Sequence, residues 1–122
     1  MAGNDDATDR NTQELFDLVI EETTRSILEA VDGEALSAKE LADRCDVSGP
    51  TMYRRVNAMR EFDLLRTSTE IDPDGNHYTV YESNVDRVQI ELDPGDEGVI
   101  VDVNYRNSTD QFIHLWEGLR EQ

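Results

Sequence analysis

Cysteine, lysine and long apolar segments are almost missing from this sequence. Its 122 residues include one cysteine, Cys45, which excludes an intramolecular disulfide and any multi-cysteine metal site. No apolar segment approaches the roughly 20 residues that a membrane-spanning helix requires. The N-terminal stretch MAGNDDATDRN is polar and acidic, unlike a signal peptide. These absences predict a cytoplasmic protein with no membrane partner.

Motifs for catalysis and for metal binding are missing as well. The sequence contains no P-loop, nucleophile elbow or zinc motif, and its many acids have no distinguishing spacing. The two histidines, His77 and His114, fall in different predicted elements, so we expect no metal site that joins them to Cys45. We therefore predict that the protein is not an enzyme and that it holds no metal and no cofactor.

Acidic residues dominate what is present. There are 28 Asp and Glu against 11 Lys and Arg, among which Lys39 is the single lysine, and the formal net charge is -17. This composition is typical either of an acidic disordered chain or of a folded protein from a cytoplasm of very high salt. The acids are spread along the whole length and interleave with periodic apolar residues, which favours the folded, halophilic protein of one domain.

The N-terminal part predicts one long helix after a polar start. Residues 1–10 are polar and predict a disordered N-terminus. A helix is predicted over residues 12–31 and is ended by Gly33. Its apolar stripe, at spacings of three and four, consists of Leu15, Phe16, Val19, Ile20, Ile27 and Leu28.

Two capped helices are predicted next. Ser37 followed three residues later by Glu40 is a capping box, in which each side chain accepts a hydrogen bond from a free backbone N–H. Ser48 caps a second helix, whose first turn contains Pro50, where a missing N–H costs nothing. Residues 36–65 therefore predict a helix, a tight turn and a helix.

Strand pairs are predicted in the second half. The segments LLRTSTEI and HYTVYES flank the turn sequence DPDGN and predict a β-hairpin. The segments DRVQIEL and GVIVDVNYR alternate apolar and polar residues around DPGDEG, which predicts a second hairpin with one buried face. The stretch STDQFIHLWEGLREQ predicts a terminal helix that packs on a second subunit or on the first helix. The fold class is therefore α+β.

A helix, a helix-turn-helix and a β-hairpin in this order resemble the winged-helix DNA-binding domain. The segment ELADRCDVSGPTMYRRVNAMREFDLL is similar to the helix-turn-helix of ArsR, MarR and PadR-like regulators, especially haloarchaeal ones. The resemblance covers about residues 12–83. It implies a winged helix-turn-helix domain over residues 11–83. Residues 84–122 lie outside the resemblance, and their own pattern predicts an extra C-terminal β-hairpin with a terminal dimerisation helix. The function that the resemblance implies is sequence-specific DNA binding in the regulation of transcription.

The second helix of this motif has two distinct faces. At about 100° per residue, Met52, Val56 and Met59 form its core face. The opposite face carries Arg54 and Asn57, residue types that make bidentate contacts to guanine and to adenine. This pattern favours a helix that reads base edges over a merely solvated helix face.

The distribution of charge supports the same interpretation. Residues 1–46 carry 13 acids and 4 bases, and residues 67–122 carry 13 acids and 3 bases. Residues 47–66, by contrast, carry 2 acids and 4 bases. Only the segment that contains the proposed recognition helix is net positive.

The predicted DNA-contacting residues extend from the cap of this helix to the wing. For Arg55 and Arg60, a phosphate contact, a base contact and an intramolecular salt bridge are all open alternatives. The wing departs from the family pattern, since its tip carries Asp72 and Asp74 where Lys or Arg is common, and a wing contact is as open as its absence. The predicted set is Ser48, Pro50, Thr51, Tyr53, Arg54, Arg55, Asn57, Arg60, Arg66, Asn76 and His77.

Double-stranded DNA is the expected partner, and it is bound by a homodimer. One short helix reads few base pairs, whereas two related by a two-fold axis read half-sites about one turn apart. At molar ionic strength we expect hydrated cations such as K+ to be retained at the interface. The rival hypothesis is a winged-helix protein-interaction module of a transcription complex without DNA specificity of its own. Candidate dimer residues, whose alternative role is intrachain core, are Leu15, Phe16, Val19, Phe112, Ile113, Trp116 and Leu119.

Overall fold

The computed structural model describes residues 2–96 and 98–106. The chain consists of two compact units. One unit spans residues 18–83, and the other combines residues 1–17 with residues 84–122. The predicted terminal helix, with its four candidate dimer residues, lies outside the described residues. In chain order the elements are α1 (Ala2–Val19), α2 (Glu22–Ala30), β1 (Leu36–Ser37), α3 (Ala38–Cys45), α4 (Gly49–Glu61), β2 (Leu65–Ile71), β3 (His77–Ser83), β4 (Val85–Asp93) and β5 (Gly98–Tyr105).

Two helices are found where the sequence predicted a single helix over residues 12–31. α1 and α2 are separated by Ile20 and by Glu21, whose backbone is extended (φ -75°, ψ 138°). Ile20 at the break is β-branched, and such side chains lower helix propensity because their χ1 freedom is restricted in a helix. The predicted long helix is therefore wrong at this break.

The start of α1 also differs from the prediction. The helix includes residues 2–10, which the sequence suggested as a disordered N-terminus. This segment contains no proline, so no residue in it forces the helix to begin later. Near the end of α1, Leu18 and Val19 are buried within the single chain, whereas Leu15 and Phe16 are half-buried. Val19 thus has the core role that was its alternative to a dimer contact.

Side-chain caps define both helices of the helix-turn-helix. The Ser37 hydroxyl accepts a hydrogen bond from the Glu40 backbone N–H (3.2 Å), and the Glu40 carboxylate accepts one from the Ser37 N–H (3.0 Å). After α3, Asp46 takes a left-handed backbone conformation (φ 56°) and makes the turn. Ser48 is the N-cap of α4, and Pro50 lies in its first turn. The structure confirms the predicted capping box and turn.

The core of the unit over residues 18–83 lies under α4. Met52, Val56 and Met59 have no exposed surface, as their helical spacing predicted. Burial of one such side chain contributes roughly 1.5–3 kcal/mol. Other fully buried apolar residues of this unit are Ile27, Val31, Leu41 and Leu64. Because α4 is anchored by one face, its opposite face is directed outward.

The β2–β3 hairpin, which we call the wing, was predicted and is present. It belongs to a three-stranded antiparallel sheet in the order β1-β3-β2. At the tip, the Asp72 carboxylate accepts hydrogen bonds from the backbone N–H groups of Asp74 and Asn76, both at 2.9 Å. Gly75 takes a positive φ of 87° in this turn, a conformation that glycine adopts at no steric cost. These interactions hold the register of the wing.

The other unit contains the β4–β5 hairpin. Three apolar pairs lie opposite one another on one face of the hairpin: Val88 with Val103, Ile90 with Val101, and Leu92 with Val99. Ile90 and Leu92 are 44% and 70% exposed, so the prediction of a buried face is wrong for these two residues. Alternation shows which residues share a face of a sheet, but it does not show that another element covers that face.

Candidate nucleic-acid interface

The outward face of α4 is a band of polar side chains opposite the buried methionines and valine. Members of the predicted set that are exposed on or beside this face are Ser48, Pro50, Tyr53, Arg54 and Asn57. Thr51 is half-buried between them. The structure thus brings together on one helix surface the residue types that were predicted to read bases.

Hydrogen bonds order the first turns of this face. The Ser48 hydroxyl accepts from the Thr51 backbone N–H (3.2 Å) and donates to Thr51 Oγ1 (2.9 Å). Arg54 Nη2 donates to the same oxygen at 3.4 Å. A guanidinium has five N–H donors, so this long contact leaves most of them available to a ligand. Thr51 therefore orients Arg54 without consuming its capacity to bind.

Arg55 forms an ion pair with Glu21, the residue that precedes α2. The two side chains are 25% and 43% exposed. Among the alternatives that the sequence left open for Arg55, the structure shows the intramolecular salt bridge. Sequence reasoning missed Glu21 as the partner, because the two residues are distant along the chain and no local pattern connects them.

An open cleft of about 430 Å³ adjoins the C-terminal half of α4 and the base of the wing. Its lining residues are Asn57, Arg60, Glu61, Asp63, Leu65 and Thr67. Burial and the neighbouring Tyr53 raise the pKa of Tyr81 in β3, whereas the charge of Arg60 lowers it. Arg60 is therefore near Tyr81, at the inner end of the wing. The cleft combines guanidinium, amide and hydroxyl donors with two carboxylates. Asp63, which was not predicted as a site residue, has a positive φ of 58° where the chain leaves α4.

The predicted wing residues do not form one cluster. Arg66 lies opposite Glu82 in the strand register, and the two form a salt bridge with an N–O distance of 3.5 Å. Asn76 and His77 are exposed at the other end of the wing, next to the turn. Any contact made by the tip is therefore separate from one made by Arg66.

Other groups in the described residues provide no chemistry of their own. Cys45 is half-buried, and burial raises the pKa of its thiol, which disfavours the reactive thiolate. Within residues 2–96 and 98–106, no three His, Cys, Asp or Glu side chains are grouped so as to hold a metal ion. None of the described helices has the length and apolar character needed to cross a membrane.

Comparison with known proteins identifies the same part of the chain. A family model described as a helix-turn-helix domain matches residues 19–68, which extend from the end of α1 through α4 to the first part of β2. No curated protein gives a significant match. The family match supports a DNA-binding transcription regulator of the helix-turn-helix type, a class that is typically non-enzymatic. Together with the antiparallel sheets, the match fits an α+β winged helix.

Proposed function

We propose that this chain is a sequence-specific transcription regulator that binds double-stranded DNA as a homodimer at high salt, with α4 in the major groove. The observation that carries the proposal is the outward face of α4, where Arg54 and Asn57 are exposed on a helix whose opposite face is fully buried. The major groove admits an α-helix, and the N-terminal turns of an inserted helix meet the base edges. The helix-turn-helix match over residues 19–68 supports the same function.

Arg54 and Asn57 are the reading pair in this proposal. An arginine contacts O6 and N7 of guanine through two parallel hydrogen bonds, and an asparagine contacts N6 and N7 of adenine in the same manner. The contact from Thr51 limits the conformations of Arg54 before DNA arrives, so less side-chain entropy is lost on binding. Each good bidentate contact contributes about 1–3 kcal/mol of discrimination against the wrong base.

Phosphate contacts are assigned to residues around the reading pair. Ser48, Pro50 and Tyr53 lie at the N-terminal end of α4, where the helix dipole favours an anion. The hydroxyls of Ser48 and Tyr53 donate to the phosphate, whereas Pro50, which has no N–H, makes only van der Waals contact. Arg60 lies at the cleft beside Asn57 and is exposed. Arg55, which is engaged by Glu21, is assigned instead to holding α4 in place. The wing residues Asn76 and His77 complete the phosphate contacts, whereas Arg66, like Arg55, is assigned to its intramolecular salt bridge, here with Glu82.

High salt is what allows so acidic a chain to approach DNA. The formal net charge is -17, which repels a duplex in dilute buffer. At 1 M salt the Debye length is about 3 Å, so distant carboxylates are screened while groups in contact still interact. Carboxylates near the interface, such as Glu61 and Asp63 at the cleft, then retain hydrated K+ instead of releasing it. These properties suit a haloarchaeal, cytoplasmic regulator.

Dimerisation completes the recognition surface. One copy of α4 reads few base pairs, and a two-fold axis would present two copies to half-sites about one turn apart. Leu15 and Phe16 are half-buried within the single chain and retain apolar surface for a partner. The remaining interface candidates are Phe112, Ile113, Trp116 and Leu119.

Replacement of Arg54 tests the proposal. Genomic fragments are first selected with the full chain in molar KCl, and an enriched duplex is then titrated by fluorescence anisotropy. Arg54→Ala should weaken binding about 5- to 150-fold, since one bidentate contact is worth roughly 1–3 kcal/mol. Arg25→Ala is the matched control, because it removes an exposed arginine from α2 and changes the net charge equally. Both variants should unfold at the temperature of the wild type.

Two results would contradict the proposal in different ways. If no fragment is enriched in molar KCl, the protein-interaction module becomes the better hypothesis. If fragments are enriched but Arg54→Ala and Arg25→Ala bind them equally well, DNA is bound without reading by α4.

A further inference from the structure

The charged residues of the wing strands all lie on one face. Successive side chains of a strand point to opposite faces of a sheet, and residues opposite one another in the register share a face. The exposed part of one face, which we name the threonine face, consists of Thr67, Thr69 and Ile71 of β2 with His77 and Thr79 of β3. Tyr81, which is buried, continues this face toward the base of the wing. The other face, which we name the acidic face, consists of Arg66, Ser68 and Glu70 of β2 with Tyr78, Val80 and Glu82 of β3. In a chain with 28 acids, the threonine face has none.

Charges of the acidic face are paired with neighbours on that same face. The Tyr78 hydroxyl donates a hydrogen bond to the Glu70 carboxylate at 3.1 Å. Arg66 forms its salt bridge with Glu82. By contrast, all five side chains of the threonine face are exposed, and Ile71 is 62% exposed. An exposed isoleucine among hydroxyl groups has no role in the core of this unit.

The threonine face is directed to the same side of the molecule as the reading helix. Thr67 lines the cleft together with Asn57 and Arg60 of α4. Tyr81, which lies opposite Thr67 in the register, is close enough to Arg60 for the guanidinium to oppose the rise of its pKa. On the acidic face the hydrogen bond to Glu70 raises the pKa of Tyr78, and the more distant carboxylate of Glu40 in α3 adds to this rise. Tyr78 on the acidic face is therefore near enough to α3 to respond to the charge of Glu40.

We propose that the threonine face is the surface through which the wing contacts the DNA backbone, with uncharged hydroxyl groups in place of lysine or arginine. This inference rests on the proposed function. The hydroxyls of Thr67, Thr69 and Thr79 donate to phosphate oxygens, and Ile71 lies against the sugars at the end of the wing. The absence of carboxylates on this face then has a physical reason, since a carboxylate there would meet a phosphate directly.

Neutral donors suit binding in concentrated salt. A lysine or arginine that contacts a phosphate gains affinity largely from counterion release, and this gain decreases as the salt concentration rises. A hydroxyl releases no counterion, so its hydrogen bond to a phosphate oxygen is far less dependent on salt. The threonine face therefore adds contacts whose strength survives the conditions in which this acidic chain is expected to work.

Two neighbouring residues of β2 provide a matched test. Thr69 and Ser68 are both exposed hydroxyl residues of the same strand, but they lie on opposite faces. Thr69→Glu and Ser68→Glu add the same charge one residue apart. In molar KCl, with a duplex selected by the wild-type chain, Thr69→Glu should weaken binding about tenfold or more, because a charge placed against a like charge at an interface is strongly unfavourable. Ser68→Glu should stay within about twofold of the wild type, because its charge points away from the DNA.

A milder variant guards against an effect of folding. Thr69→Val keeps the branched shape and the strand propensity and removes only the hydroxyl, so it should weaken binding about two- to fivefold at an unchanged unfolding temperature. If the wild type binds no duplex, the proposed function itself fails. If the wild type binds and the two Glu variants lose affinity equally, or Ser68→Glu loses more, the assignment of the threonine face is overturned while α4 remains the reader.

Discussion

Replacement of Thr24 by valine should stabilise this protein. Thr24 lies in α2 with no exposed surface, and its Oγ1 has no hydrogen-bond partner among the residues that the structure describes. A hydroxyl that is removed from water without gaining a partner costs about 1–3 kcal/mol. Valine has the same shape with a methyl group in place of the hydroxyl, so the substitution removes this cost without opening a cavity.

The expected gain at Thr24 is about 1–2 kcal/mol in the free energy of unfolding. Threonine and valine have similar helix propensities, so the backbone of α2 contributes little to the difference. The buried methyl group adds a small favourable transfer free energy. In a chain of this size such a gain corresponds to a rise in Tm of roughly 3–10 °C.

The change is measured by thermal and urea unfolding in molar KCl. Thr23→Val is the matched control, because it makes the same substitution at the adjacent, half-buried position and should change stability by less than about 0.5 kcal/mol. The affinity for DNA should be the same in both variants. A lower Tm for Thr24→Val beside a neutral Thr23→Val would show that the hydroxyl has a stabilising partner, and would refute the reasoning.

Two further predictions concern salt and acid. The affinity of the full chain for its selected duplex should change little between moderate and molar KCl. A protein that releases cations at many phosphate contacts shows a slope of log K against log salt of about -0.9 per phosphate. Such a slope here would contradict the retention of cations. Hydrogen bonds from the backbone N–H and then from the side chain of Ser37 lower the pKa of Glu40 below its ordinary 4.5. The stabilisation by this carboxylate is therefore present above pH 4.5, and it is lost as the pH falls through the pKa of the folded state. The stability difference between the wild type and Glu40→Gln, measured by urea unfolding, should therefore be constant near neutral pH and shrink below pH 4.5; a difference that does not depend on pH would exclude this contribution.

Features set by neighbours in sequence were predictable here. The capping box needs only Ser37 and Glu40 three residues apart, because its hydrogen bonds close within one helical turn. The burial of Met52 and Met59 follows from the helical period once one face is anchored. For the same reason, the outward direction of Arg54 was predicted together with the core face.

Features set by contacts between distant segments were not predictable. The role of Arg55 depends on Glu21, which becomes available only because the chain is extended between α1 and α2. Alternation along β4 showed that Ile90 and Leu92 share a face, but the exposure of that face depends on elements far along the chain. The path of the chain from α4 into the wing likewise depends on the turn at Asp63, where φ is positive.

The strand order of the wing sheet also bears on how copies of this protein stay apart. β3 is paired with β2 along its length and with β1 at Val80 and Tyr81. Among the described residues β2 is paired only with β3, so one row of its backbone N–H and C=O groups is open to another strand. Such an edge strand is a template for intermolecular pairing and aggregation. Arg66 and Glu70 place charges of both signs along this edge, a common means of blocking such pairing. In molar salt, where the long-range repulsion between acidic molecules is screened, this local protection becomes more important for solubility than the net charge.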